Sequence, residues 1–73
     1  MPAYKFKETV EEIAIERDLH LVESQNRLIW EIAKSLESRK INAEGAVEML
    51  KANKDFRLHF KFDDFEKIRR ATE

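Results

Sequence analysis

Residues 23–39 read Glu-Ser-Gln-Asn-Arg-Leu-Ile-Trp-Glu-Ile-Ala-Lys-Ser-Leu-Glu-Ser-Arg. Leu28, Ile29, Ile32, Ala33 and Leu36 recur there at spacings of three and four, the signature of a helix with one buried face. No glycine or proline falls between Pro2 and Gly45, so nothing in that stretch obliges the backbone to leave a helix. The segment predicts a strong amphipathic helix over about 23–39 and sets the class as mainly α.

Working outward, Val10, Ile13 and Ala14 form a second apolar stripe, preceded by Glu8, Glu11 and Glu12. Negative charge in an opening turn suits the helix dipole, so a first helix is predicted from about 6–9 to Arg17. Asp18, His20, Ser24 and Asn26 compete with helix or prefer its ends, which predicts a break within 18–24. A competing reading runs one helix from 8 to 39. It would be ~48 Å long at 1.5 Å per residue, more than a chain of this size can cover, and would imply a dimer. Beyond it, Asn42 reads as the N-cap of a helix to about Lys54 with Ala43, Ala46, Val47 and Leu50 inward. Asp63 and Glu66 read as a capping box opening a last helix through Phe65 and Ile68.

Two segments alternate instead. Arg57-Leu58-His59-Phe60-Lys61-Phe62 and Tyr4-Lys5-Phe6-Lys7 have the period of a half-buried strand. If they pair, residues ~3–7 and ~57–62 form a short two-stranded β-ribbon over a compact bundle of three to four helices. Tyr4, Phe6, Leu58, Phe60 and Phe62 would then face the core, and Lys5, Lys7, Arg57, His59 and Lys61 the other side. The alternative is that the first helix starts earlier and takes in Phe6.

The whole chain has 73 residues, 14 Lys+Arg against 15 Asp+Glu, two His and no Cys. That length suits one domain, 1–73, which on area scaling buries about 60% of its unfolded surface. A core that small often gains support from a partner or a second copy. Without cysteine there is neither disulfide nor thiolate metal site, which fits a reducing, cytoplasmic setting. No apolar run approaches the ~18 residues of a membrane span, so no membrane partner is expected. The formal net charge of −1 supplies no global field toward nucleic acid.

Among candidate functional residues Trp30 stands out. With Ile32 at the centre of the buried face, Trp30 lies about 160° away, among Asn26, Arg27, Lys34 and Glu37. A tryptophan on the polar side needs a partner: either Ile15 and Leu19 of its own chain, or another protein, since Trp is enriched at binding hot spots. The basic set Lys5, Lys7, Arg57, His59 and Lys61 is the competing candidate, able to follow a phosphate backbone. Lysines on an exposed ribbon equally protect an edge strand.

Thr9-Val10-Glu11-Glu12-Ile13-Ala14 followed by Asn26-Arg27-Leu28-Ile29 resembles a helix-turn-helix over about twenty residues, in which a second helix enters the DNA major groove. Asp18 stands where the turn glycine is usual, and Ser24 where an apolar anchor belongs. The resemblance implies that Arg27 and Lys34 would meet DNA, although Glu23, Glu31 and Glu37 share their helix.

Catalysis finds little footing. The chain has no Cys nucleophile, no Gly-rich phosphate loop and no G-x-S-x-G elbow. Glu16 and His20, with Asp18 nearby, would supply two or three metal oxygens and nitrogens if helical, but a solvated face is the simpler reading. The expectation is therefore a non-enzymatic regulator or adaptor, without cofactor or metal. It would bind a larger protein through Trp30, flanked by Ile15, Leu19, Arg27 and Lys34. A nucleic-acid binder using the basic ribbon and a homodimer are the alternatives.

Overall fold

A computed structural model describes residues 2–73. Five helices follow in order: α1 (Pro2–Glu16), α2 (Glu23–Glu37), α3 (Ala43–Lys51), α4 (Lys54–His59) and α5 (Phe62–Thr72). No strand occurs among the described residues, and none of their helices is long and apolar enough to cross a membrane.

The helices share one core. Phe6, Val10 and Ile13 of α1 meet Ile29, Ile32 and Leu36 of α2, Ala46, Val47 and Leu50 of α3, Phe56 and Phe60 around α4, and Phe65 and Ile68 of α5. Tyr4 and Lys7 lie beside Lys34 and Glu37, so α1 and α2 run antiparallel along their lengths. Residues 39–44 at the start of α3 adjoin Arg69 to Glu73 at the end of α5. One end of the bundle, here the near end, therefore gathers the start of α1, the end of α2, the start of α3 and the end of α5. The far end holds the α1–α2 loop, α4 and the start of α5.

Two polar ties close the far end. Arg17 donates from Nε and Nη2 to the two carboxylate oxygens of Asp64, at 2.9 and 2.8 Å. Asp64 is only 5% exposed, and it also accepts from the Lys61 backbone N–H at 2.8 Å, capping α5. Hydrogen bonding from Arg17 holds the Asp64 carboxyl below its ordinary range, against a smaller opposing effect of burial. A carboxyl lowered on folding contributes stability above its unfolded pKa and loses it as pH falls toward the folded one. In the second tie Gln25, buried at the start of α2, accepts from the Val22 N–H at 2.9 Å and donates to Asp55 of α4 at 2.9 Å.

The β-ribbon expected at 3–7 and 57–62 is not formed. Along α1 the core takes Ala3, Phe6, Val10 and Ile13, a helical period. Lys5–Glu8 and Lys7–Glu11 meet at i,i+3 and i,i+4 at 4.0 and 3.9 Å, as only a helix allows. The first helix thus starts at Pro2, where the missing N–H costs nothing. At the other segment the core chooses Phe56 and Phe60, four apart, whose rings meet edge to face at 5.3 Å. Leu58 and Phe62, which the strand reading turned inward, are 66% and 73% exposed. Asn53 caps α4, accepting from the N–H groups of Asp55 and Phe56, and this splits the predicted third helix before Lys54. The bundle therefore has five helices rather than three or four.

The break in 18–24 is present, so no single helix joins 8 to 39. Asp18 adopts φ 56°. Leu19 N–H reaches Ala14 O and Asp18 N–H reaches Ile15 O, the paired bonds of a Schellman end. Arg39, at φ 63°, ends α2 identically through Lys40 to Ser35 and Arg39 to Leu36. Asn42 caps α3 as expected, accepting from Gly45 N–H at 2.8 Å. The cap of α5 is displaced by two residues from the predicted box: Asp64, not Glu66, reaches back, and it reaches Lys61 rather than Asp63. The lengthwise antiparallel pairing of α1 and α2 also departs from the crossed pair that a helix-turn-helix requires.

The left-handed position at Arg39 costs a residue with a side chain about 1–2 kcal/mol, of which glycine's extra unfolded-state freedom takes back about 0.4–1. Arg39→Gly is expected to raise urea-unfolding stability by roughly 0.5–1 kcal/mol, whereas Arg39→Val lowers it. A loss on Arg39→Gly would contradict the Schellman assignment.

Candidate functional site

Seven large apolar side chains are exposed among the described residues: Tyr4, Ile15, Val22, Trp30, Met49, Leu58 and Phe62. Trp30 is 54% exposed, because α2 buries Ile29, Ile32 and Leu36 and thereby turns position 30 outward. Shallow concavities flank the ring on both sides. One is lined by Tyr4, Lys7, Ala33 and Glu37, and the other by Glu31, Ser35, Ser38, Lys40 and Met49. A strip thus runs from Tyr4 of α1 over Trp30 of α2 to Met49 of α3. Lys34 sits across it with Nζ 4.6 Å from the indole centroid, a cation–π contact worth roughly 0.5–1 kcal/mol when exposed.

The residues expected around Trp30 divide. Lys34 joins it. Arg27 is drawn the other way, donating to Glu23 at 3.2 Å and lining a separate hollow with Val22 and Ser24. Ile15 is 80% exposed, yet it stands eight residues beyond Lys7 on α1, about 12 Å of helix rise, toward the far end. Leu19 is partly buried against the core. Tyr4 and Met49 are the members that sequence reading missed. Met49 sits next to the inward Leu50 and carries no sequence signal of its own, while Tyr4 was expected on the inward face of a strand.

The basic set is likewise dispersed. Lys5 and Lys7 lie on α1, beside Glu8 and Glu11. Arg57 and His59 lie on α4, His59 with Nδ1 2.9 Å from the Asp55 backbone oxygen, and Lys61 caps α5. Without a ribbon they form no common face. His20 and Asp18 approach to 3.7 Å in the loop, outside any helix, while Glu16 ends α1. A concavity of 680 Å³ is an open groove at the near end lined by Arg39, Lys40, Asn42, Glu44 and Arg69. Arg69 is engaged by Glu66 and Glu73.

Compared with known proteins, the chain matches no family model, no curated protein and no solved structure.

With its ring half in solvent, Trp30 is expected to emit at long wavelength and to be readily quenched by acrylamide in the monomer. A blue-shifted, protected emission from a monomer would place the ring in a core and remove the strip.

Proposed function

We propose that this chain is a small non-enzymatic regulatory or adaptor protein that acts by binding a larger protein through the Trp30 surface. The carrying observation is the half-exposed indole at the middle of a three-helix strip, held in place by Lys34 rather than covered by its own chain. Large rigid aromatics presented on a helical scaffold supply much contact area for little entropy lost, and such residues dominate measured interface energies. Tyr4 and Met49 extend the apolar contact, and Met adapts its shape to a partner. Lys7, Lys34, Lys40, Glu31 and Glu37 form a charged rim suited to steering and specificity.

Nucleic-acid binding through Lys5, Lys7, Arg57, His59 and Lys61 is the alternative that the dispersal of those residues over α1, α4 and the start of α5 disfavours. The two differ in salt response: phosphate contacts weaken steeply with ionic strength, whereas an aromatic-anchored interface is much less sensitive.

Trp30→Ala is expected to change folding stability by less than about 1 kcal/mol, since the site is half-exposed. Ile32→Ala, two residues away in the core, should cost about 2–5 kcal/mol. In affinity capture from cells expressing the tagged protein, a partner retained by wild type in moderate salt should be lost with Trp30→Ala and kept with Arg57→Ala/Lys61→Ala. A partner indifferent to Trp30, or nucleic acid released by salt and by the Arg57/Lys61 change, would overturn the proposal.

A further inference from the structure

Lys34 sets its ammonium over the Trp30 ring although two carboxylates stand within helical reach of it. Glu31 lies three residues before it and Glu37 three residues after, the spacing at which a helix brings side chains together. Both are exposed, and among the described residues neither makes an ion pair with any cation. Lys34 lines both hollows beside the indole, one shared with Glu31 and the other with Glu37. Lys40 is the further cation in the first hollow and Lys7, 3.9 Å from Glu11, in the second. Arg27, which could also reach Glu31, is held by Glu23 at 3.2 Å.

The ring contact suits a free indole and not a covered one. While Trp30 faces water, an ammonium over the ring stays hydrated on its outer side and braces the indole. An interface anchor works by being dry, and a partner laid on the ring would enclose that ammonium with no acceptor but the ring. A buried charge without a partner costs far more than an exposed cation–π contact contributes. Glu31 removes the conflict. It lies N-terminal to Lys34, the favourable order for a carboxylate–lysine pair on a helix, and the pair would form at the rim, where it stays in water. Both contacts are weak at exposed positions, and side chains there exchange rotamers within nanoseconds. The move therefore needs no change in the backbone.

We infer, resting on the reading of Trp30 as an anchor, that Lys34 is a two-position side chain regulating that surface: it braces the indole while the ring is free and passes to Glu31 when the ring is taken. Lys34 is then a positioning residue, and Glu31 is its receiving group. The free chain holds the indole in place without closing it, and the engaged chain leaves no unpaired ammonium beneath its partner.

The test follows Lys34 in the free chain by nuclear magnetic resonance, with Trp30→Leu standing for a ring that is no longer available. In wild type the Lys34 Hε protons are expected upfield of those of the other lysines, moved by the indole ring current, with nuclear Overhauser contacts to the ring. In Trp30→Leu they should return to the ordinary lysine position and show contacts to the Glu31 side chain, which Glu31→Gln in the same chain weakens. Trp30 is the single tryptophan, so quenching by iodide reads the same site. Iodide should quench wild type more efficiently than Lys34→Met, and Lys34→Arg should restore the wild-type response. Positions 30, 31 and 34 are exposed, and thermal melts followed by circular dichroism verify that each variant folds. Lys34 protons at the ordinary position in wild type, no contact between Lys34 and Glu31 in Trp30→Leu, or iodide quenching indifferent to Lys34→Met would each overturn the inference. None of these readouts uses a partner, so their failure leaves the capture experiment to decide the role of Trp30, and a failed capture leaves the exchange of Lys34 measurable.

Discussion

The paired hydrogen bonds from Arg17 to Asp64 join residues 47 positions apart and close the end of the bundle where the chain is least regular. Asp64 serves two roles there. Its carboxylate caps α5 through the Lys61 N–H and receives the guanidinium at the end of α1. The two helices it joins are also the pair that, with α2, encloses Phe6, Ile13 and Ile68. Because the carboxylate is buried, losing its partner would leave a charge with little access to water, which is far costlier than the pair is stabilising. Gln25 makes the second tie, donating from its amide to the Asp55 carboxylate of α4.

How much of this was legible depended on whether local pattern and tertiary demand agreed. In α2 they agree: Leu28, Ile29, Ile32 and Leu36 fall on one face, and the helix forms within two residues of the predicted end. Asn42 was equally readable, since its side chain acts on an N–H three residues away. At 57–62 the pattern misled, because alternation names apolar residues without saying which of them the core needs. Phe60 is claimed by Phe56 and Phe65, with ring centroids at 5.3 and 5.8 Å, while Leu58 and Phe62 are left outside. Asn53 and the i,i+3 and i,i+4 charge pairs of α1 were readable signals for helix that the alternation obscured. The Arg17–Asp64 tie was not readable at all, since nothing local links positions so far apart.

The same contrast holds for function. Helical geometry alone placed Trp30 on the outer side of α2 and Lys34 beside it. It could not supply Tyr4 and Met49, which reach the strip only through the packing of α1 and α3. Nor could it separate Ile15 from Trp30, because the distance between them follows from the antiparallel pairing. Once the helices are assembled, the exposed apolar side chains fall into two groups at different places, one around Trp30 and one at the far end.

The account rests most directly on Asp64 acting as a charged tie, and a double-mutant cycle measures that. Arg17→Met, Asp64→Asn and the double variant would be compared with wild type by urea unfolding at neutral pH and at successively lower pH. The account predicts clear coupling between the two positions at neutral pH, fading as pH falls below the ordinary carboxylate range and Asp64 takes up its proton. Additive effects at neutral pH, or coupling unchanged by acid, would contradict it.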